Sequence, residues 1–375
     1  MTNVEIELLS ERTIGRNFQI AALGAVFDLL PQPMKDKIID GVVDGKILLS
    51  IDELQKLLNT LSQYLIQVCK YKKIFPELYK AGKGDAKILS SAGIIATQKN
   101  LCTALLDSLN NVLKRPEKQV DIPMFLRTYV FAKYRTSLES VEKTTSISLY
   151  ISVAGAILSL IGKFKVRDTT IELYIIPDGS IYSLLQSPKI YSLIYSSDRY
   201  RLDQFIKDIF GKLNNASFEV STLVAIMAYT WSIAKYVQEL PSLDQYYGSF
   251  EVFRLVSIKP EYRPQVAWEK PLTISEYLRY LEAKNAIEIP ELIRKLASVA
   301  PDIVKKEEIY DNVISQCLHE VYGYMESGSL DLLTSCTARI VRILDTLKSK
   351  ELCRKYVHVC SDLSRLSRLL SNIAS

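Results

Sequence analysis

From Glu5 to Lys114 apolar residues return every three or four positions. Phe18, Ala21, Ala22, Val26 and Leu29 fall on one helical face, and Leu54, Leu57, Leu58, Leu61, Leu65 and Val68 on another. Pro31, Pro33 and the segment from Pro76 to Gly84 mark the turns between such helices. The period then changes to two. Phe164 and Val166 alternate with Lys163, Lys165 and Arg167, Asp168 and Thr169 offer a turn, and Ile171, Leu173 and Ile175 alternate with Glu172 and Tyr174 up to Pro177-Asp178-Gly179-Ser180. Helices are predicted from Leu184 to Leu240, with Leu202, Phe205, Ile206 and Ile209 on one face. A second hairpin is predicted from Phe250 to Ile258, turning through Lys259–Pro264 and returning over Gln265–Trp268.

After Pro271 the pattern is helical alone. Thr273 and Glu276 have capping-box spacing, in which the threonine oxygen accepts a backbone N–H and the glutamate reaches back. Helices are predicted over Pro290–Val299, Pro301–Glu326, Leu330–Leu347 and Lys350–Ile373, broken by Gly328 and Ser329. The expected fold is mainly α with a minor β component. Residues 1–270 form a mixed α+β domain, mostly helical with two hairpins, and residues 271–375 a basic helical bundle.

Thr144–Gly162 is uncharged over 19 residues, near the minimum for a bilayer span. Its Thr144, Thr145, Ser146, Ser148, Ser152 and Ser159 favour a buried segment of a soluble protein instead. Ser146–Val153 alternates like a strand and Ala154–Ile161 runs like a helix, so the pattern leaves its type open.

Charge sharpens the picture. The chain holds 47 Lys and Arg against 42 Asp and Glu, but the last 39 residues alone hold eight against three, so everything before Thr337 is balanced at 39 of each. Those eight are Arg339, Arg342, Lys348, Lys350, Arg354, Lys355, Arg365 and Arg368, set among Ile340, Ile343, Leu344, Leu347, Leu363, Leu366, Leu369 and Leu370. Cations on amphipathic helices suit a polyanion, of which nucleic acid is the commonest. A second cluster, Lys70, Lys72, Lys73, Lys80, Lys83 and Lys87, opposes only Glu77 and Asp85 and interleaves Tyr71, Phe75 and Tyr79. Lys189, Tyr191, Tyr195, Arg199, Tyr200 and Arg201 form a third, where tyrosine can stack on unpaired bases. Each cluster reads equally as a solvated basic surface with its aromatics turned inward.

Catalytic patterns fail on spacing. Ala81-Gly82-Lys83-Gly84-Asp85 lacks the glycine spacing and the Ser or Thr of a phosphate loop. Glu282-Ala283-Lys284 imitates part of a nuclease motif but falls in a helical pattern, and Glu307 and Glu308 diverge by about 100° on a helix. The only histidines, His319 and His358, do not share a helical face with the nearest cysteines, which argues against zinc. No catalytic residue, metal or cofactor is expected. The six cysteines (Cys69, Cys102, Cys317, Cys336, Cys353, Cys360) follow no secreted-scaffold spacing and read as buried thiols in a reducing cytoplasm. The Ile-, Tyr-, Lys- and Glu-rich texture fits a thermophile.

Ser249-Phe250-Glu251-Val252-Phe253-Arg254-Leu255, then Tyr262-Arg263-Pro264-Gln265-Val266 and Pro271-Leu272-Thr273-Ile274, precede an all-helical end. Together with Val153-Ala154-Gly155-Ala156 and a hairpin ending in Ile176-Pro177-Asp178-Gly179, this order resembles the large subunit of archaeal subtype I-A CRISPR Cascade complexes. The resemblance is one of order and texture across most of the chain. It implies a non-catalytic subunit of an RNA-guided antiviral surveillance complex, partnered by other Cascade subunits, guide RNA, target DNA and a helicase-nuclease. Such a subunit inspects the motif flanking the target and steadies the displaced strand, while guide pairing reads the sequence. On this reading Lys70–Lys87 contacts duplex near the flanking motif and the terminal helices hold the displaced strand or a neighbouring subunit. Arg254 and Arg263 either meet a partner or close their hairpin. The alternatives are a helical scaffold that binds an acidic protein and no nucleic acid, and an enzyme whose site is assembled from distant residues.

Overall fold

The structure is a computed structural model; it describes residues 3–11, 13–70, 83–95, 101–127, 143–166, 169–180, 184, 203–213, 223–232, 253–259, 265–271, 288–304 and 308–374. The fold is mainly α with small antiparallel sheets and a helical C-terminal region. The chain forms two compact units. The first comprises Met1–Lys163, Ile171–Arg201 and Glu251–Leu272, and the second Phe164–Thr170, Leu202–Phe250 and Thr273–Ser375.

The first unit opens with a feature the helical reading of Glu5–Lys114 missed. Strands β1 (Asn3–Glu7) and β2 (Lys46–Ser50) pair antiparallel, Asn3 opposite Ser50 and Glu7 opposite Lys46. Val4, Ile6, Ile47 and Leu49 turn inward while their neighbours face out. Five-residue strands are too short for their alternation to stand out from helical spacing nearby. Helices α1 (Ile14–Phe27) and α2 (Gln32–Asp44) lie between them, and Gly45 makes the left-handed turn into β2 at φ +78°. Helix α3 (Ile51–Lys70) then starts on a capping box. Glu53 N–H donates to Ser50 Oγ (3.3 Å), Ser50 N–H donates to the Glu53 carboxylate (2.8 Å), and Lys37 pairs with the same carboxylate at 2.7 Å.

Helices α4 (Lys83–Ser91) and α5 (Leu101–Leu113) lead to a short ribbon, β3 (Gln119–Asp121) with β4 (Lys143–Thr145). Ser146–Ser159, whose type the sequence left open, is one helix, α6, capped by Thr145 Oγ1 accepting from the Ser148 N–H (3.2 Å). Every residue of α1 and of α6 is buried, and the two helices pack on each other as the centre of this unit. The apolar, uncharged composition of α6 follows from being surrounded by protein. It has 14 residues, and among the described residues no helix is long and apolar enough to cross a membrane.

Both predicted hairpins form and join into one sheet of order β5–β6–β7–β8: β5 (Leu160–Val166), β6 (Thr169–Pro177), β7 (Phe253–Lys259) and β8 (Gln265–Pro271). Pro177 lies opposite Phe253 and Glu172 opposite Ile258, and the register shifts between Ser257 and Ile258 on β7. The expected inside-outside alternation of β6 is absent. Glu172 to Ile176 are buried on both faces, and the Tyr174 hydroxyl donates to Glu172 (2.5 Å).

In the second unit, helix α7 (Asp203–Lys212), helical residues 223–232, α8 (Glu288–Val304), α9 (Glu308–Ser327), α10 (Leu330–Ser349), α11 (Leu352–Lys355) and α12 (Val357–Ala374) make a bundle. Phe205 stacks at a tilt on Trp231 (4.7 Å between centroids), with the Arg294 guanidinium over its ring (5.1 Å). Two expectations are corrected. Pro301 does not open a helix but lies within α8, and the single helix expected over Lys350–Ile373 is broken at Glu351 and Tyr356 into α11 and α12.

Candidate nucleic-acid interface

The C-terminal cations sit on α10, α11 and α12. Leu333, Cys336, Ile340, Ile343, Leu344 and Leu347 form the buried stripe of α10, and Val359, Leu363, Leu366, Leu370 and Ile373 that of α12. Charges placed between these apolar positions are pushed to the outside of the bundle by the packing itself. Arg342, Lys348, Lys350, Arg354, Lys355, Arg365 and Arg368 are all exposed.

Arg339 differs. Its Nε donates to both oxygens of Glu320 on α9 (3.0 and 3.3 Å), and its Nη1 to Gln316 (2.8 Å); Ser335 donates to the same carboxylate. This charge is neutralised within the bundle, where it joins α9 to α10. Arg354 meets Glu351 at 3.4 Å, but with both side chains in open solvent such a pair contributes little. Arg342, Lys348, Lys350, Lys355, Arg365 and Arg368 have no ion pair among the described residues.

These six do not lie on one stripe. On α10 the directions of Arg342 and Lys348 differ by about 120° at about 100° per residue. Arg365 and Arg368 are one turn apart on the outer face of α12, while Lys348, Lys350, Arg354 and Lys355 gather at the corner where the chain leaves α10 and enters α12. The Lys355 ammonium lies 5.5 Å from the centre of the Tyr356 ring, and Val357 is 61% exposed beside it. The arrangement is a cationic corner flanked by separate arginines, suited to phosphates approaching from more than one direction.

Of the lysine-rich segment, Lys70 ends α3, Lys83 opens α4 and Lys87 is exposed on α4. Lys72, Lys73 and Lys80 lie outside the described residues, as do the Lys189–Arg201 cluster, Arg263, Thr273, Glu276, Glu282, Lys284 and Glu307. Asp85 in the first turn of α4 accepts from the Met124 N–H (3.0 Å), and burial pushes its carboxyl above the ordinary aspartate range. Arg254 closes its own hairpin, donating to Glu269 across β7 and β8 at 2.9 Å.

The cysteines depart furthest from expectation. All six are paired: Cys69–Cys102 joins α3 to α5, Cys317–Cys336 joins α9 to α10, and Cys353–Cys360 joins α11 to α12. Their Cα separations of 6.2, 4.5 and 5.7 Å fall in the disulfide range. Spacing missed them because each bridge joins neighbours in space on different helices. Among the described residues no group of His, Cys, Asp and Glu is placed to hold a metal ion, and both histidines are exposed.

No protein-family model matches the chain, and no curated protein and no solved structure shows significant similarity to it.

Proposed function

We propose that the chain is a nucleic-acid-binding, non-catalytic large subunit of an archaeal CRISPR Cascade complex. It contacts target DNA near the flanking motif, steadies the displaced strand and helps recruit the helicase-nuclease. The observation that carries the reading is the set of exposed C-terminal cations that have no ion pair among the described residues, in a chain otherwise balanced in charge. Cations held apart from acids on a packed scaffold retain their attraction for phosphate, and counterion release then drives binding. The order of the two hairpins, the buried α6 between the N-terminal helices and the sheet, and the helical end support the same reading.

The proposed partners are other Cascade subunits, guide RNA, target DNA and the helicase-nuclease, and the proposed location is the cytoplasm of a thermophile. Three disulfides are compatible with that location, because intracellular proteins of hyperthermophiles are unusually rich in them. Exposed Val341 and Val357, next to the cations, are suited to contact with a neighbouring subunit.

Titration of labelled duplex and single-stranded DNA at several salt concentrations tests the reading. Affinity is expected to fall steeply with salt, with a log-log slope of about −0.9 per duplex phosphate neutralised. Co-purification with tagged candidate subunits and guide RNA is expected in parallel. No binding to either DNA, alone or with those subunits, favours a protein-binding scaffold instead.

A further inference from the structure

The corner between α10 and α12 has a construction that charge alone does not explain. Helix α11 is four residues long and none of its residues is buried. A helix this short has no stability of its own in water, and its residues are at most half-buried. It is entered through Glu351 at φ +55°, the only non-glycine residue with positive φ among the described residues, a conformation that costs about 1 kcal/mol or more. Yet α11 carries Arg354 and Lys355, and the covalent link from Cys353 to Cys360 ties it to the first turn of α12.

We propose that the Cys353–Cys360 disulfide is a clamp that presets Arg354 and Lys355, beside Lys348 and Lys350, as one phosphate-binding corner for a nucleic-acid strand. The proposal rests on the nucleic-acid reading above and deepens it. Lys348 and Lys350 also face the negative end of the α10 dipole and are held there without help. Besides the clamp, Arg354 and Lys355 have only a solvent-exposed pair with Glu351 and a contact with the Tyr356 ring. A flexible loop carrying the same two charges must be ordered when it binds, whereas a tethered one has already lost that freedom.

Burial separates this bridge from the other two. Cys317 and Cys336 are fully buried and Cys69 and Cys102 are 6% and 5% exposed, whereas Cys353 and Cys360 are both half-buried. Opening the bridge takes two electrons and two protons and leaves two thiols. Dithiothreitol supplies both and closes to its own cyclic disulfide. In the folded chain that exchange begins at Cys353–Cys360, because the attacking thiolate must reach a sulfur atom.

Trypsin cuts after Lys350, Arg354, Lys355 and Arg365, so the non-reduced full-length protein is expected to give the peptide 351–354 linked to 356–365. Mild dithiothreitol without denaturant, followed by alkylation, is expected to label Cys353 and Cys360 before the other four. Anisotropy titrations with a labelled single-stranded oligonucleotide then compare the oxidised protein with Cys353→Ser/Cys360→Ser. The double variant is expected to bind about three- to ten-fold more weakly, with a shallower salt dependence and a melting temperature lowered far less than the affinity, since no residue of α11 is fully buried. Arg354→Gln/Lys355→Gln with the bridge intact is expected to bind as weakly, independently of any folding effect of the serines. Unlinked peptides, or equal affinity of wild type and both variants, overturn the clamp and leave the nucleic-acid reading standing. Failure of the oxidised wild type to bind at low salt overturns both.

Discussion

Gly155 on α6 faces the main chain of Phe18 on α1, and a methyl group built on Gly155 would land on the Phe18 carbonyl. The two central helices of the first unit touch backbone to backbone there, an approach only glycine permits. Gly155→Ala is therefore expected to force α1 and α6 apart and destabilise the protein by about 1–3 kcal/mol, the usual range for overpacking a filled core. Denaturant unfolding checks it, and a midpoint equal to wild type would mean that the helices separate at no cost.

Arg16 acts in the same core through polar contacts. Buried at 5% exposure, it donates to the carbonyls of Val42 (2.9 Å), Gly179 (3.3 Å) and Leu9 (3.5 Å) and meets Glu11 at 3.5 Å. Burial pulls its pKa down and the Glu11 carboxylate pushes it back up. One side chain thus ties α2, the turn after β6 and the segment before α1 to a single helix. Arg16→Met is expected to cost about 2–4 kcal/mol by leaving those carbonyls without a donor. Arg16→Lys is expected to recover only a minor part, because an ammonium cannot span three divergent acceptors. Thermal melts of both variants measure the difference.

Asp85 gives a pH signature. Burial raises its carboxyl above the ordinary range, opposed by the Met124 N–H and by Arg127. Folding thus favours the protonated form, and the stability this contributes is fully present below the unfolded value of about 4 and is lost as pH rises through the folded value. Asp85→Asn keeps an acceptor for Met124 and removes the charge. It is expected to raise the melting temperature at pH 7 and to confer no advantage at pH 3, which melts across that range would show.

Arg339 and the outer arginines should separate stability from binding. Arg339→Gln breaks the link to Glu320 and Gln316 and is expected to lower the melting temperature with little change in DNA affinity. Arg342→Gln/Arg365→Gln/Arg368→Gln removes exposed charges and is expected to do the reverse, flattening the salt dependence by about 2–3 in the log-log slope while leaving folding nearly unchanged. Equal retention by that triple variant at every salt concentration would remove those arginines from the interface.

Where sequence and structure agree, the information was local. Alternation around Phe164 and Ile171 and around Leu255 placed the strands, and the apolar spacing from Leu333 to Ile373 placed the terminal helices. The misses depend on distant neighbours. Leu29 fits the apolar face of α1 by spacing but is 62% exposed, because the helix ends at Phe27 and Leu30 turns inward instead. Arg16, Asn17 and Gln19 look like a polar face, yet all three are buried. Gln19 bonds the Leu9 N–H and the carbonyls of Glu7 and Ser148, and Asn17 the Pro177 carbonyl. The pattern Pro177-Asp178-Gly179 gains its reason only here. Asp178 accepts from the Ser180 N–H and hydroxyl, and Gly179 at φ +81° lies against Asn17 where a side chain would crowd it. Within the candidate interface, exposure of the cations followed from helical spacing. The partner of Arg339 and the pairing of the cysteines did not, since both lie across helix–helix contacts.

Pro177 on β6 lies opposite Phe253 on β7, although the chain between them runs through the second unit before returning. A ribosome releasing this protein from its N-terminus therefore leaves the inner edge of β6 uncovered until some seventy-odd further residues have been made. An open edge is a template for the wrong strand as well as the right one, and such late, distant pairings are slow to form. Prompt association with other chains, or a chaperone holding the nascent N-terminal half, would shorten that exposure during synthesis.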